Sequence, residues 1–487
     1  MALYCRMNPV VILLILVVYF ALLILISAFT SKNATNETFF TADRKSRWYL
    51  VAFGMIGTSL SGVTFISIPG EVGKSSFYYF QVVLGYLLGY FIIARVLMPL
   101  YYRLNLITIY SYLQQRFGFW SYKTGAFFFL LSRTIGSSLR MFLVAGVLQI
   151  AVFDHWKIPF WVTVLISIVL IWIYTYKGGI KTVVWTDTLQ TVFMLISVIT
   201  SIYIIKNQLS LSFNEMINTI DHSNYSTIFN WEWNHPRNFF KQFFSGAFIA
   251  IVMTGLDQDM MQKNLTCRNL GEAQKNMYTF SLILVFVNLL FLSLGAMLYM
   301  YANVRGIPVP ARSDYLFPIL AINYFSAFAG TIFIIGITAA NYASADSALA
   351  ALTTSFCVDF LGYKKEKSQN FEKTRIRVHI GFSLLIFLVI LVFRVINDES
   401  VINSLFTAAG YTYGPLLGLF SFGMFTKYHI RDRWVPLICI ISPALCYWIS
   451  SNSQAWFNGY KFGFELLILN GAFTFAGLWM LRKKVSE

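Results

Sequence analysis

VAFGMIGTSLSGVTFISIPG, residues 51–70, is apolar enough to enter a bilayer, yet too rich in glycine and hydroxyls for an ordinary spanning helix. Gly54, Gly57, Gly62 and Gly70 are interleaved with Thr58, Ser59, Ser61 and Thr64. In hydrocarbon, unpaired backbone groups are tolerated only where they line a polar cavity. One reading is a helix that unwinds mid-membrane and lends freed carbonyls and hydroxyls to an ion. The other is close packing of small residues between neighbouring helices. Both place the stretch inside a membrane.

The rest of the chain agrees. Of 487 residues, 57% are apolar and only 12% charged, about half the charge of a soluble domain. Mean hydropathy is +0.64. A water-soluble enzyme, a disordered chain and a nucleic-acid binder are all excluded by that balance. The net charge of +16 is the Lys/Arg excess of cytoplasmic loops in a multi-pass protein. Cys5, Cys267, Cys357, Cys439 and Cys446 show no metal or disulfide spacing. The five histidines lie in or beside polar loops. No haem or metal enzyme is indicated.

A spanning helix needs about 20 mostly apolar residues, and the chain predicts about thirteen between residues 8 and 481. The stretch 315–357 is too long for one crossing and is expected to begin with a surface or re-entrant piece. With the N-terminus outside, the cytoplasmic side holds 24 of the 37 Lys and Arg, including Lys32, Lys364, Lys365, Lys367 and Lys484. The external side holds 10, and Arg95, Arg133 and Arg140 fall within spans. That split predicts an external N-terminus and a cytoplasmic C-terminus. The first apolar run reads as an uncleaved span rather than a signal peptide. The acceptor motifs at Asn33 and Asn36 read as loop polarity, and 206–241 as an external loop without periodicity.

Ionisable groups within spans default to functional hypotheses. Asp187 lies one turn inside the sixth span, in GGIKTVVWTDTLQ (178–190); capping or pairing with Lys181 is the bland alternative. In TAANYASADSALAALTTSF (338–356), Ala340, Ala343, Ser344 and Ser347 share one helical face with Asp346 beside it. Carbonyls, hydroxyls and one or two carboxylates are the ligands a hard cation such as Na⁺ takes. Arg140, two turns after Arg133 in LLSRTIGSSLRMFLVAGVLQ (130–149), suits a carboxylate or phosphate solute; an internal acid or snorkelling would also account for it.

These residues carry a family resemblance. GGIKTVVWTDTLQ resembles the signature of the sodium:solute symporter family, and LDQDMMQKNL (256–265) its loop after the seventh span, with Gln262-Lys263 where members usually have Gln-Arg. AANYASADSALAALTTSFCVDF (339–360) and YTYGPLLGLFSFGMF (411–425) match two further stretches in the same order. The resemblance implies an all-α polytopic membrane protein with a LeuT-like core of two five-helix inverted repeats. The expected divisions within a single transmembrane domain are an extra helix and loop (1–47), a first repeat (48–206), an external loop (207–241), a second repeat (242–426) and two C-terminal helices (427–487).

By the same resemblance, carbonyls at Gly57, Leu60 and Ala340, with hydroxyls at positions 343 and 344, form the main sodium site; Ala343 lacks the hydroxyl and Ser344 keeps it. Asp187, Asp346 and Ser347 match a second sodium site of some members. Members commonly carry serine at Asp346, so the added charge implies a second cation site or a proton-sensitive one. Ser59, Ser61 and Thr64 match substrate positions, joined by Gln81 and Arg140 by similarity to sialic acid transporters. Met253 stands where sugar transporters have an inner-gate tyrosine. The expected function is sodium-coupled import of a small polar solute by alternating access. A sugar acid, a sialic acid-like compound or a monocarboxylate is favoured over a neutral sugar. Proton coupling and an uncoupled channel are the alternatives, and no catalysis is implied. Expected partners are Na⁺, the solute and the lipid bilayer, with no organic cofactor, nucleic acid or obligate protein partner. The compact loops point to a bacterial inner membrane.

Overall fold

A computed structural model describes residues 9–32, 34–363, 371–396 and 401–483. Cys5, Asn33, Lys364, Lys365, Lys367 and Lys484 lie outside the described residues. The architecture is a helical bundle, with, among the described residues, one two-residue strand pair joining His429–Ile430 to Arg482–Lys483.

The stretch 51–70 does not form one helix. Helix α2 (Trp48–Ser59), after the N-terminal α1 (Pro9–Thr30), stops at Leu60, and α3 (Gly62–Ser75) resumes after a bend of 54°. Leu60 (ψ 54°) and Ser61 (ψ 175°) leave the helical region, and Ser59-Leu60-Ser61-Gly62 supplies side chains that accept such a turn. Five helices follow: α4 (Tyr79–Ile92, running on to Arg103), α5 (Phe119–Ala151), α6 (Phe160–Thr175), α7 (Ile180–Gln208) and α8 (Phe239–Ala250). A π-turn over Ile251–Gly255 extends α8, and the chain then bends by 69° into α9 (Gln258–Asn264). Asp257 is extended at this second break and caps α9, its carboxylate accepting from the Asp259 N–H at 2.9 Å.

Next come α10 (Leu270–Val304), α11 (Ala327–Ser355), α12 (Phe371–Ile396), α13 (Val401–Phe425), α14 (Val435–Trp456) and α15 (Leu466–Met480). Among the described residues, eight helices are long and apolar enough to cross a membrane, or ten with each bent pair as one span. The expected thirteen exceeds this by α6 and α15, which are short, and by α13, which falls outside that criterion. The stretch 315–357 divides into a short helix, Leu316–Asn323, and α11. The 206–241 segment, expected to be irregular, contains an amphipathic helix, Phe213–Asp221, started by a Ser212/Glu215 capping box.

Small residues set the packing. A Cβ on Gly85 or Gly89 of α4 would fall 2.0 Å from the Phe243 carbonyl or 2.5 Å from that of Ala247, so α4 and α8 meet backbone to backbone. The broken α2/α3 pair is enclosed by α7, α10 and α11. Helix α1 is part of this core: Leu16, Tyr19 and Leu23 are buried, and Ser27 Oγ donates to the Tyr174 carbonyl at 2.6 Å.

Candidate ion and solute site

The two breaks lie across a central cavity. Thr58, Ser59, Leu60, Ser61 and Thr64 line it from the first broken helix, and Ile249, Met253, Thr254 and Met260 from the second. Arg133 and Arg140 enter from α5. Tyr79, Tyr86 and Tyr90 project from one face of α4, with the Tyr79 and Tyr86 hydroxyls 3.0 Å apart.

Arg140 is 7% exposed, and its Nε and Nη1 have no hydrogen-bond partner. A buried guanidinium without a carboxylate is costly, and here it faces a cavity. Arg133 is engaged instead: it pairs with Asp259, with Asp257 Oδ2 at 3.8 Å, and the Tyr413 hydroxyl also donates to Asp257. These four residues lock α5 and α13 to the second break.

On one side the cavity shares Tyr79, Ile402 and Phe406 with a neighbouring vestibule. Tyr79 and Phe406 stack with centroids 6.5 Å apart and planes 9° apart. The vestibule is also lined by Glu71, Arg237, Gln242 and Asn403, with Arg237 Nη2 3.2 Å from Glu71 Oε2. The opposite side is tied by hydrogen bonds between α4, the segment after it and the second break. There the Tyr101 and Tyr110 hydroxyls donate to the Gly255 and Leu256 carbonyls at 2.9 and 3.0 Å, and Ile109 N–H to Gln258 Oε1 at 3.0 Å.

Of the five expected solute residues, Ser59, Ser61, Thr64 and Arg140 line the cavity. Gln81 does not. Its Nε2 donates to the carbonyls of Tyr78 (3.1 Å) and Arg237 (3.2 Å), and its Oε1 accepts from Asn230 N–H (3.1 Å). Both ends of the amide staple the 230–238 segment to α4. Met253 does lie on the cavity wall.

At the expected main sodium site, the break in α2 frees carbonyls at the end of that helix, opposite α11. A Cβ on Gly57 would fall 2.3 Å from Thr191 Oγ1, so only glycine brings this carbonyl-bearing turn so close to α7. Leu60 sits in the break itself, its N–H donating to Ile56 O at 2.8 Å. Ala340, Ala343 and Ser344 are buried on α11. Ala343 supplies no side-chain oxygen, and its carbonyl lies 3.2 Å from Thr58 Oγ1. Ser344 Oγ donates to the Asn341 carbonyl at 2.9 Å, while Asn341 Oδ1 is buried without a partner.

The three residues expected to form a second sodium site are dispersed among other partners. Asp187 pairs with Lys263 rather than Lys181; both are buried, and Thr58 Oγ1 lies 2.9 Å from Asp187 Oδ2 and accepts from the Lys263 ammonium. Asp346 accepts from Tyr174 Oη at 3.0 Å, Thr186 Oγ1 at 3.5 Å and its neighbour Ser347 N–H at 2.5 Å. Ser347 Oγ donates to Asp259. Lys263, which the loop charge count placed in a cytoplasmic connection, is 1% exposed inside the bundle. Sequence reasoning also missed Asp257, Asp259, Tyr413 and the tyrosine stripe of α4. The stripe's spacing of seven and four residues was a legible helical-face signal.

A membrane-embedded bundle whose two broken helices meet across a polar cavity is the architecture of an ion-coupled secondary transporter. The profile of the sodium:solute symporter family matches residues 39–430. The chain belongs to that family, and it is a sodium-coupled solute symporter of the LeuT-like fold rather than an enzyme. It is similar to the sodium/sialic acid symporter NanT of Aliivibrio fischeri, 24% identical over 465 residues, covering 92% of this chain and 89% of the other. The sodium-coupled monocarboxylate transporter 1 of Mus musculus is 25% identical over 411 residues, covering 81% and 65%. The solved structure of a Na⁺-coupled sialic acid symporter in a substrate-bound, outward-open state superposes with a TM-score of 0.82 at 19% identity, covering 97% and 99%. Mhp1, a nucleobase-cation-symport-1 transporter in a closed conformation, superposes at 0.54 with 13% identity, covering 91% and 93%.

Proposed function

We propose that the co-transported solute is a small carboxylate carrying several hydroxyls, a sugar acid of the sialic acid type before a simple monocarboxylate or a neutral sugar. The observation that carries this is Arg140, a buried guanidinium lacking partners at Nε and Nη1 on the wall of the central cavity. It would take the carboxylate, which offers the bidentate geometry a guanidinium favours. The hydroxyls of Ser59, Ser61, Thr64, Tyr79 and Tyr86 would pair with those of the solute. Relatives that carry sialic acid and monocarboxylates support the anionic class.

Sodium would bind where α2 ends, on the carbonyls of Gly57, Leu60 and Ala340 and the hydroxyl of Ser344. The unpartnered Asn341 Oδ1 would stand in for the hydroxyl missing at Ala343. The repeat boundaries 48–206 and 242–426 rest on the matching breaks at 60–61 and 256–257. About thirteen crossings follow from counting α6, α13 and α15 as spans. An external N-terminus rests on the loop charges, with Lys263 removed from the count, and a bacterial inner membrane on the compact loops.

Thermal unfolding of the detergent-purified protein in Na⁺ against matched K⁺ tests this, across sugar acids, monocarboxylates, neutral sugars and polyols. Ligands of the folded state raise the unfolding temperature with the logarithm of concentration over Kd. A shift with a sugar acid seen only in Na⁺ is expected. A shift with neutral sugars alone would overturn the anionic assignment.

A further inference from the structure

We propose that the Lys263 ammonium is a built-in cation that takes the place of a second sodium, fixing the coupling at one Na⁺ per solute. The inference rests on the sodium-coupled reading above and deepens it. A second Na⁺ held by Asp187, Asp346 and Ser347 would need their oxygens free and convergent. Asp187 is instead paired with Lys263 and faces the Thr58 hydroxyl at 2.9 Å. Ser347 is committed to Asp259, and Asp346 is surrounded by Tyr174 and Thr186. These residues do not fit a second sodium while Lys263 is present.

Lysine is suited to the exchange. Its ammonium is a compact monovalent charge with three donors, closer to an alkali cation among oxygen ligands than a planar guanidinium would be. Its backbone is also held in place. On one side Gln262 Nε2 donates to the Phe40 carbonyl at 2.6 Å and to Thr354 Oγ1 at 3.0 Å. On the other, Asn264 Oδ1 accepts from Asn276 at 2.6 Å, and its carbonyl from Tyr102 Oη at 2.8 Å. The side chain is thereby fixed at Asp187, in the field of Asp346. Without Lys263, Asp187 would be buried without its cationic partner, while Arg133 serves Asp257 and Asp259. Lysine supplies that positive charge permanently.

A consequence is that the tethered charge stays with the protein throughout the cycle. One Na⁺ and one monoanion then cross together with no net charge, so the membrane potential does not drive accumulation. A tenfold Na⁺ gradient would give about tenfold accumulation of a monoanion.

Equilibrium binding of ²²Na⁺ to the purified full chain counts the sites directly. The wild type is expected to bind one Na⁺ per chain, and Lys263→Arg, which keeps the charge, one also. Lys263→Met is expected to bind two, and Lys263→Met/Asp187→Asn one again. The rise in unfolding temperature per decade of Na⁺ at saturating concentrations should roughly double in Lys263→Met. Lys263→Gln keeps a donor toward Asp187 and replaces the methionine variant if that fails to purify. Two sodium ions bound by the wild type, or one by folded Lys263→Met or Lys263→Gln, would overturn the inference. A wild type that binds none would overturn the sodium-coupled reading itself, which distinguishes the two failures.

Discussion

Lys263 and Asp187, 76 residues apart in sequence and each essentially shielded from solvent, form an ion pair that ties the short helix after the second break to α7. The first broken helix joins them through Thr58, whose hydroxyl lies 3.2 Å from the Ala343 carbonyl of α11. One lysine thus connects four helices at the level where ion and solute are proposed to bind. Rocking of one helix group against another must preserve or break that connection as a unit. Coupling between ion and solute therefore has a covalently fixed charge at its centre.

Arg140→Gln should weaken binding of an anionic solute by about ten- to a hundredfold, the range of a lost hydrogen bond to a charged group. Neutral solutes should be unaffected. Because Arg140 has unpartnered nitrogens in the absence of solute, its removal should leave the unfolding temperature of the solute-free protein unchanged or raised. Thermal shift titrations read both effects; a solute-free protein that is strongly destabilised would show that Arg140 holds the fold instead.

Arg133→Met should behave in the opposite way. It leaves Asp257 and Asp259 buried without their cation, a loss of about 3–5 kcal/mol by analogy with other broken buried pairs. Denaturation of the detergent-solubilised protein should show a clear fall in stability even without solute. An unperturbed unfolding curve would contradict the assignment of Arg133 to the second break.

The Tyr79–Phe406 stack separates the cavity from the vestibule. Phe406→Ala should speed modification of Ser59→Cys by a membrane-impermeant thiol reagent added from the vestibule side, by tenfold or more. With Cys5 replaced by serine, the cysteines at 267, 357, 439 and 446, all buried, should give a low background. Equal labelling rates with and without Phe406 would place the barrier elsewhere.

Gln81→Ala should leave solute and sodium affinity unchanged. It removes two hydrogen bonds between α4 and the 230–238 segment, so protease should cut that segment faster than in the wild type. A loss of solute affinity without faster cleavage would return Gln81 to the cavity.

How much of this was legible in the sequence depended on whether the signal was local. The break at 60–61 is written in residues 51–70, because glycines and hydroxyls in an apolar run mark where helical hydrogen bonding can be given up. Ser59, Ser61 and Thr64 lie in that run, whereas Arg140 was read from its own charge within residues 130–149. Lys263 was not legible: a charge flanked by Gln262 and Asn264 after an apolar span reads as loop, and its buried partner lies on another helix. Asp257 and Asp259 were hidden for the same reason, since the second break carries no glycine-rich stretch like the first. Gln81 lies off the cavity wall, held by Tyr78, Asn230 and Arg237. A buried polar residue on a cavity-lining helix resembles a ligand, until the loop that uses it is folded against it.

Uptake into proteoliposomes under an imposed inward Na⁺ gradient tests the central claim most directly, with the sugar acid that gives the largest sodium-dependent thermal shift as the labelled solute. The account predicts accumulation above the external concentration, abolished by a sodium ionophore and unaffected by collapsing a proton gradient. Uptake that only equilibrates whatever the Na⁺ gradient, or that follows the proton gradient alone, would contradict it.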